Sequence, residues 1–465
     1  MSSATNRFLP LFLCLIFFHS YSQNDIRNYT KSDGLTSNTI LTSIIDSKGI
    51  IWVGTAQGVS AFTGNKWIGI RSISEKDGSK KAMGKVTHIY ETRSGDIWAA
   101  AEKGIFIFNG EYWTHFHDQE NEGFSVKEIF EDRRGWMFVL LEKYPNVKDM
   151  ADLGFSIVEG ALQMYNGYQW HKFPRQIGGS AAVPVGYPNE YFTSHIQDFE
   201  GNVWVTSLDG IYQFDGLDWE AIDEEDIPSD ICFQVLQSND KKIWVATKHG
   251  VAMRDGDDWV KFEKEKGIKG NPVTSMFLDK KKRIWVVTSN DSRFKYLCYY
   301  ENNKWHAFSK DNMKVKGELI DLLEFNDQIL AFSRKGVHLY SDKNWENLIV
   351  VNKINDDDFS NVVKRKDKSI LFTGDKGLYE INKSGVVRLY EFDDGWKPNL
   401  VIEDNNKNVW VATQKDGLFM ISDIKVTRFN EDNGLSDNQV ANLIEGKEGA
   451  IWIVTKSGIS RIIID

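Results

Sequence analysis

At 465 residues, with a formal charge of −10 and a pI near 5.5, the chain lacks the basic footprint that generic nucleic-acid binding requires. Forty-one per cent hydrophobic residues supply a large core, and 37 Gly against 8 Pro point to many tight turns rather than disordered linkers. The 16 Trp and 28 Phe are a heavy aromatic load that a core has to accommodate.

The chain opens with Arg7, an apolar run FLPLFLCLIFF (8–18) and the small residues SYS (20–22) before Gln23. This pattern predicts a secretory leader over 1–22, cleaved near Ser22/Gln23. The run is about 11 residues long, where a membrane helix needs about 20. Cys14 lies inside it with no small residue before it, which argues against a lipoprotein signal. No later apolar stretch reaches membrane length, so the expected mature domain, 23–465, is periplasmic or secreted with no membrane span. Its two cysteines, Cys232 and Cys298, fall in different strand positions of neighbouring units and are expected as buried, unpaired thiols.

From there the sequence repeats itself. Aligned on the Trp of IWVGT, it gives Trp52, Trp98, Trp204, Trp244, Trp285, Trp410 and Trp452, with Phe138, Leu330 and Leu371 in three degenerate copies. These ten units are spaced 39–46 residues apart, apart from one interval of 66. A second Trp follows about 15 residues after the first, so 14 of the 16 Trp occupy two fixed positions. Each unit reads as four strands; in the fifth they are CFQVLQS (232–238, A), KIWVATK (242–248, B), GVAMRD (250–255, C) and DWVKFE (258–263, D). The A–B turn carries Asp or Asn. The B–C turn ends in Gly (58, 104, 210, 250, 336, 377, 417, 458), which predicts a positive φ there.

Four strands in a period of 40–45 predict an all-β fold, a β-propeller of about ten blades. A lone blade has two apolar faces and buries them only against its neighbours. The last unit stops after strand C (458–465), and DIRNYTKSDGL (25–35) aligns with VTRFNEDNGL (426–435), so the N-terminal strand is expected to complete the last blade and close the ring. Two smaller propellers of five blades are the alternative. The absence of a linker between units five and six favours one ring.

The segments GLTSNTILTSIIDSKGIIWVGTAQGVSAF (34–62) and GLSDNQVANLIEGKEGAIWIVTKSGIS (434–460) resemble the two-component regulator propeller repeat. Residues Gly34, Leu35, Asn38, Asp46, Gly49, Trp52, Gly54, Thr55 and Gly58 match that pattern, as do Gly434, Leu435, Ser436, Asn438, Gly449, Trp452, Thr455 and Gly458. The resemblance implies a periplasmic sensor propeller of the kind found in hybrid two-component systems, which often detect polysaccharide fragments. Members of that family continue into an immunoglobulin-like domain, a membrane helix, a histidine kinase and a DNA-binding domain. The sequence ends with the propeller, so the expectation is a stand-alone module that binds, or that passes its signal to a partner.

In a propeller the D–A loops and B–C turns share one face. The long interval carries both its insertions there, 142–160 in a B–C loop and 174–191 in a D–A loop. They supply Tyr144, Arg175, Tyr187 and Tyr191 as candidate ligand-binding residues suited to stacking on a sugar or gripping a peptide. Short B–C turns add the candidates Lys103, Lys248, His249 and Arg334, alongside Arg293, Lys335, Lys376, Lys415 and Lys456. On an acidic protein these cations favour an anionic ligand such as a uronate or a sulfated glycan. No His-Glu-x-x-His, Gly-x-Ser-x-Gly, phosphate-binding glycine loop or Cys/His cluster is present, so no catalytic residue, cofactor or metal is expected. The expected function is non-catalytic recognition of an oligosaccharide, with an envelope-protein scaffold as the alternative. A glycan-active enzyme is the third reading, because a propeller draws acid–base residues from separate blades.

Overall fold

The computed structural model describes residues 25–75, 77–116, 124–143, 160–172, 192–208, 210–222, 225–289, 295–308, 319–341, 344–351, 359–383, 385–393, 395–422 and 425–464. The predicted leader lies outside them. They form ten four-stranded antiparallel sheets, each in sequential order A–B–C–D except the last. That one, blade 10, takes strands A–C from Val440–Glu445, Ile451–Thr455 and Gly458–Ile463 and its outermost strand from Asp25–Tyr29. Asp25 pairs with Ile463 and Tyr29 with Ile459, as the alignment of the two ends predicted. A two-stranded ribbon, Ser72–Ser74 with Lys80–Ala82, decorates the loop between blades 1 and 2 and was not foreseen.

The blades close one ring, not two. Ten apolar clusters each span two neighbouring blades, including one between blades 5 and 6 and one between blades 10 and 1. The two Trp positions make these junctions. The strand-B Trp of one blade meets the strand-D Trp of the next: Trp52 with Trp113 at 6.1 Å between ring centroids, Trp204 with Trp259 at 6.3 Å, Trp285 with Trp345 at 6.2 Å. At the closing junction Trp452 meets Trp67 at 5.8 Å and 88°. Edge-to-face contacts of this kind suit the ring quadrupole and bury about 150–250 Å² per side chain. The degenerate units keep the position apolar, with Phe138, Leu330 and Leu371 fully buried.

The Asp of the A–B turn holds the Trp in place from within its own blade. Asp198 accepts the Trp204 indole N–H at 2.8 Å and the backbone N–H of Asn202 at 2.8 Å. Asp46, Asp279 and Asp404 repeat this with Trp52, Trp285 and Trp410. A buried carboxylate is tolerated because each oxygen receives a donor.

The B–C glycines correct the sequence reading. Gly250 has φ +152°, as expected, but Gly377 and Gly336 are not in the positive-φ region. Gly250 and Gly377 share a need for space. A Cβ on Gly250 would meet the Phe262 carbonyl oxygen of strand D at 2.1 Å, and one on Gly377 would meet that of Tyr390 at 2.6 Å.

Candidate ligand-binding face

Strand A is the innermost strand, and neighbouring A strands touch directly. Asn442 of blade 10 donates to Ser43 of blade 1 at 2.9 Å, and the backbone N–H of Met276 in blade 6 donates to Gln234 of blade 5. Every A strand carries a register shift near its upper end, for example between Ile40 and Thr42 and between Val440 and Asn442. The extra residue of such a bulge turns its side chain out of the ladder. At three junctions that side chain latches the next blade: Thr193, Asn361 and Asn399 donate to the carbonyls of Cys232, Pro398 and Val440.

The D–A loops and B–C turns form the upper face, and the repeat motif rigidifies it. Gly34 and Gly434 each end a 3-10 turn with positive φ, and Asn38 and Asn438 cap those turns from below by accepting the N–H of Lys31 and Glu431 at 2.7 and 2.9 Å. Thr36 meets Thr55 at 2.7 Å, and Ser436 meets Thr455 at 2.9 Å, tying each loop to the end of strand B. Thr455 Oγ1 also donates to the Gly458 carbonyl across the B–C hairpin. Gly34, Asn38 and Thr55, with their counterparts Gly434, Asn438 and Thr455, thus build the face.

Among the tips, Lys103 lies in blade 2, Lys248 and His249 in blade 5 and Arg334 in blade 7, all exposed. They share the upper face, but blades without them intervene, and only Lys248 and His249 are neighbours. Lys103 is paired with Glu102 at 3.4 Å, and its carbonyl faces His115 Nε2 at 2.8 Å. Tyr144, Arg175, Tyr187, Tyr191 and Arg293 lie outside the described residues. The flanking strands still fix where the insertions leave the blade: strand B of blade 3 ends at Lys143 and C begins at Gly160, and D ends at Lys172 and the next A begins at Phe192. Both connections therefore depart from the upper face.

Cations of consecutive repeat units also stand together on this face. Arg334 and Lys335, Lys376, Lys415 and Lys456 are exposed B–C tips of blades 7, 8, 9 and 10, four in succession. Carboxylates lie among them too: Asp375 adjoins Lys376, Asp416 faces Arg428 at 3.6 Å and Asp437 accepts from Ser457 at 2.7 Å. Beside this arc, across the seam of blades 10 and 1, lies a cleft of about 500 Å³ lined by Thr39, Ile40, Gln439, Val440, Ala441, Thr455 and Lys456.

A second cleft, of about 310 Å³, opens among the inner strands of blades 5, 6 and 7 and contains Asp321, whose carboxyl burial pushes above the usual range. Its other described lining residues are neutral, Gln234, Thr274, Ser275, Met276, Phe277, Val287, Leu319 and Leu322. That lining offers Asp321 no second carboxyl with which to divide acid and base roles. No group of three or more His, Cys, Asp or Glu suited to a metal occurs among the described residues. Cys232 and Cys298 are free and buried, as expected.

The sequence pattern of the two component regulator propeller matches residues 34–57 and 267–290. The two matched segments belong to blades 1 and 6. The second match begins at Gly267, which closes a third copy of the glycine-ended 3-10 turn, Lys264–Lys266. No curated protein matches the sequence. Among solved structures, one similar to the chain is the extracellular domain assigned to the hybrid two-component system BT3049 of B. thetaiotaomicron, at 16% identity and TM-score 0.27 over 92% of this chain. The chain spans 64% of that domain's length. Others are PorZ, a surface component of the type-IX secretion system of Porphyromonas gingivalis (15% identity, TM-score 0.34, 91% of this chain and 73% of that one), and virginiamycin B lyase from Staphylococcus aureus (9%, 0.33, 59% and 95%). No helix among the described residues is long and apolar enough to cross a membrane.

Proposed function

We propose that the chain is an exported, non-catalytic binding propeller of the sensor type, and that its ligand is an anionic carbohydrate fragment held on the upper face. The observation that carries this reading is the cationic arc of blades 7–10, on a chain whose formal charge is −10. Four cation-bearing tips, one per blade along a rigid rim, suit a ligand whose own charges repeat, such as a uronate-containing or sulfated oligosaccharide. A single compact anion would use one tip. The seam cleft beside Lys456 offers a place for one sugar residue, with Thr39 and Gln439 as hydroxyl and amide partners. The insertions of blade 3, with Tyr144, Arg175, Tyr187 and Tyr191, leave from the same face and are proposed as the second wall of the site.

The experiment is a thermal-shift screen of residues 23–465 against neutral and anionic oligosaccharides. A ligand at 100 times its dissociation constant adds about 2.7 kcal/mol. The reading expects a shift with anionic fragments that Lys376→Glu and Lys456→Glu remove and Tyr187→Ala weakens. No shift across the library would sink it and would turn attention to an envelope-protein partner.

A further inference from the structure

One position of strand A reaches from blade to blade, and in blade 7 it is left without a partner. In blade 10 the residue after the bulge is Asn442, which accepts the Leu443 N–H at 2.9 Å and donates across the junction to Ser43 of blade 1, also at 2.9 Å. Gln234, in the same place in blade 5, accepts the Met276 N–H of blade 6 at 2.6 Å. Asp321 fills this position in blade 7, opposite Phe332 as Asn442 stands opposite Val454. It accepts the Leu322 N–H at 2.8 Å, and there the likeness ends. The place that Ser43 takes in blade 1 belongs to Val362 in blade 8, and a valine side chain has nothing to donate. Asp321 makes no other hydrogen bond and no ion pair among the described residues.

The cleft of about 310 Å³ lies beside this carboxylate. Thr193, the bulge residue of blade 4, donates to the Cys232 carbonyl of blade 5, but Thr274, the bulge residue of blade 6, turns back to the Val287 carbonyl of its own blade at 3.5 Å. It therefore ties blade 6 to nothing in blade 7, and the cleft opens there. Thr274 and Ser275 are exposed and bring two hydroxyls to its lining. Phe277, Val287, Leu319 and Leu322 bring apolar walls. Asp321 is half-buried, so burial pushes its carboxyl up and only the Leu322 N–H pulls the other way. A carboxylate taken partly out of water with one donor and no counter-charge is costly.

We propose that this cleft binds a primary ammonium group on a short aliphatic stem, held by Asp321 and carried by a free amine or a lysine side chain. The ammonium supplies the missing counter-charge to the second carboxylate oxygen, and the Thr274 and Ser275 hydroxyls can accept its remaining N–H bonds. The apolar walls suit the stem. A guanidinium is a poorer match, because it prefers both oxygens of a carboxylate and Leu322 already occupies one. A calcium ion wants six to eight oxygen ligands, and the lining has a single carboxylate. A neutral hydroxyl offers no charge. This site is separate from the cationic arc of blades 7–10 and takes a ligand of opposite sign.

The test is calorimetric titration of residues 23–465, whose ring is complete from Asp25 onward, at physiological salt, with n-pentylamine, n-pentylguanidine, 1-pentanol and Nα-acetyl-lysine amide. The expected result is that pentylamine binds and that the guanidine and the alcohol bind at least about tenfold more weakly. Asp321→Asn lowers the amine affinity about tenfold to a hundredfold while melting no lower than the parent at neutral pH, so the loss is not unfolding. Lys456→Glu, on the upper face, leaves it unchanged. So does Glu128→Gln, which removes another solvent-accessible carboxylate of the inner strands. The capped lysine separates the carriers: binding as tight as pentylamine or tighter assigns a lysine side chain, and weaker binding assigns a free amine. Any of three results overturns the proposal: no amine binding, alcohol or guanidine binding as tight as the amine, or amine binding that Asp321→Asn leaves intact or that Glu128→Gln reduces equally, the mark of a general attraction of cations to an acidic protein.

Discussion

Ring closure rests on five residues, and Tyr29 is the anchor among them. Its ring is buried against three others: Trp452 at 5.6 Å, nearly parallel, Phe62 at 5.6 Å and Trp67 at 6.1 Å. Tyr29→Ala removes the only ring that the closing strand adds to this cluster and leaves a cavity between blades 10 and 1. Truncating a buried aromatic costs about 3–5 kcal/mol. For a ring of about 440 residues unfolding as one unit, an entropy of about 2.1 cal/mol/K per residue converts that loss into a midpoint drop of roughly 3–5 °C. If the seam opens before the rest, calorimetry shows a separate early transition instead. Tyr29→Phe separates packing from hydrogen bonding. The Tyr29 hydroxyl is buried and makes no hydrogen bond among the described residues, so its removal leaves the midpoint unchanged or raises it. The reasoning is refuted if Tyr29→Ala melts with the parent, or if Tyr29→Phe is as damaging as the alanine.

Two further outcomes follow from titratable groups. Burial raises the Asp321 carboxyl above its ordinary value, so between that value and its folded one the folded state binds more protons than the unfolded chain. Stability therefore falls as pH rises through this window; Asp321→Asn should flatten the slope and raise the midpoint at neutral pH, checked by melting across an acidic-to-neutral series. Burial pushes the Cys298 thiol up to about 11 and the Cys232 thiol higher still, so neither should react with a thiol reagent at mildly alkaline pH until denaturant is added.

The propeller was legible in the sequence because one residue type marks it at two fixed positions, and the structure supplies the cause: Trp98 needs Trp170, and Trp244 needs Trp305, one blade further on. The closing strand was legible for the same reason, since the sequence around Tyr29 repeats that around Phe429. The bulges were not. Their extra residues include Leu41, Thr87, Thr193, Phe233, Asn361 and Asn399, which share no chemistry, because the inner-strand geometry and not the side chain imposes the irregularity. Positive φ was over-assigned at Gly336 and Gly377, because a glycine kept for close approach and one kept for a left-handed turn are written with the same letter. The cationic arc was half legible. The repeat order already places Arg334, Lys376, Lys415 and Lys456 on consecutive units and Lys103 and Lys248 apart, and the ring adds that the last of the four borders the seam cleft.

Closure and binding are coupled if the ligand occupies the seam cleft, and this distinguishes it from a ligand held only by the blade 3 insertions. The cleft has one wall on blade 10, from Gln439, Val440, Thr455 and Lys456, and the other on blade 1, from Thr39 and Ile40. The Tyr29 strand holds these walls in register together with the Asn442–Ser43 bond across the seam. A ligand that needs both walls selects the closed ring, and its apparent dissociation constant grows as the closed fraction shrinks. Tyr29→Ala should therefore weaken such a ligand although it touches no part of the cleft, and a saturating ligand should in turn restore much of the variant's lost midpoint, since linkage is reciprocal. A ligand held by blade 3 alone spans no seam. Titrating the same oligosaccharide into parent, Tyr29→Phe and Tyr29→Ala proteins reads this directly: equal affinities in all three place the ligand off the seam, and a loss confined to the alanine variant places it across.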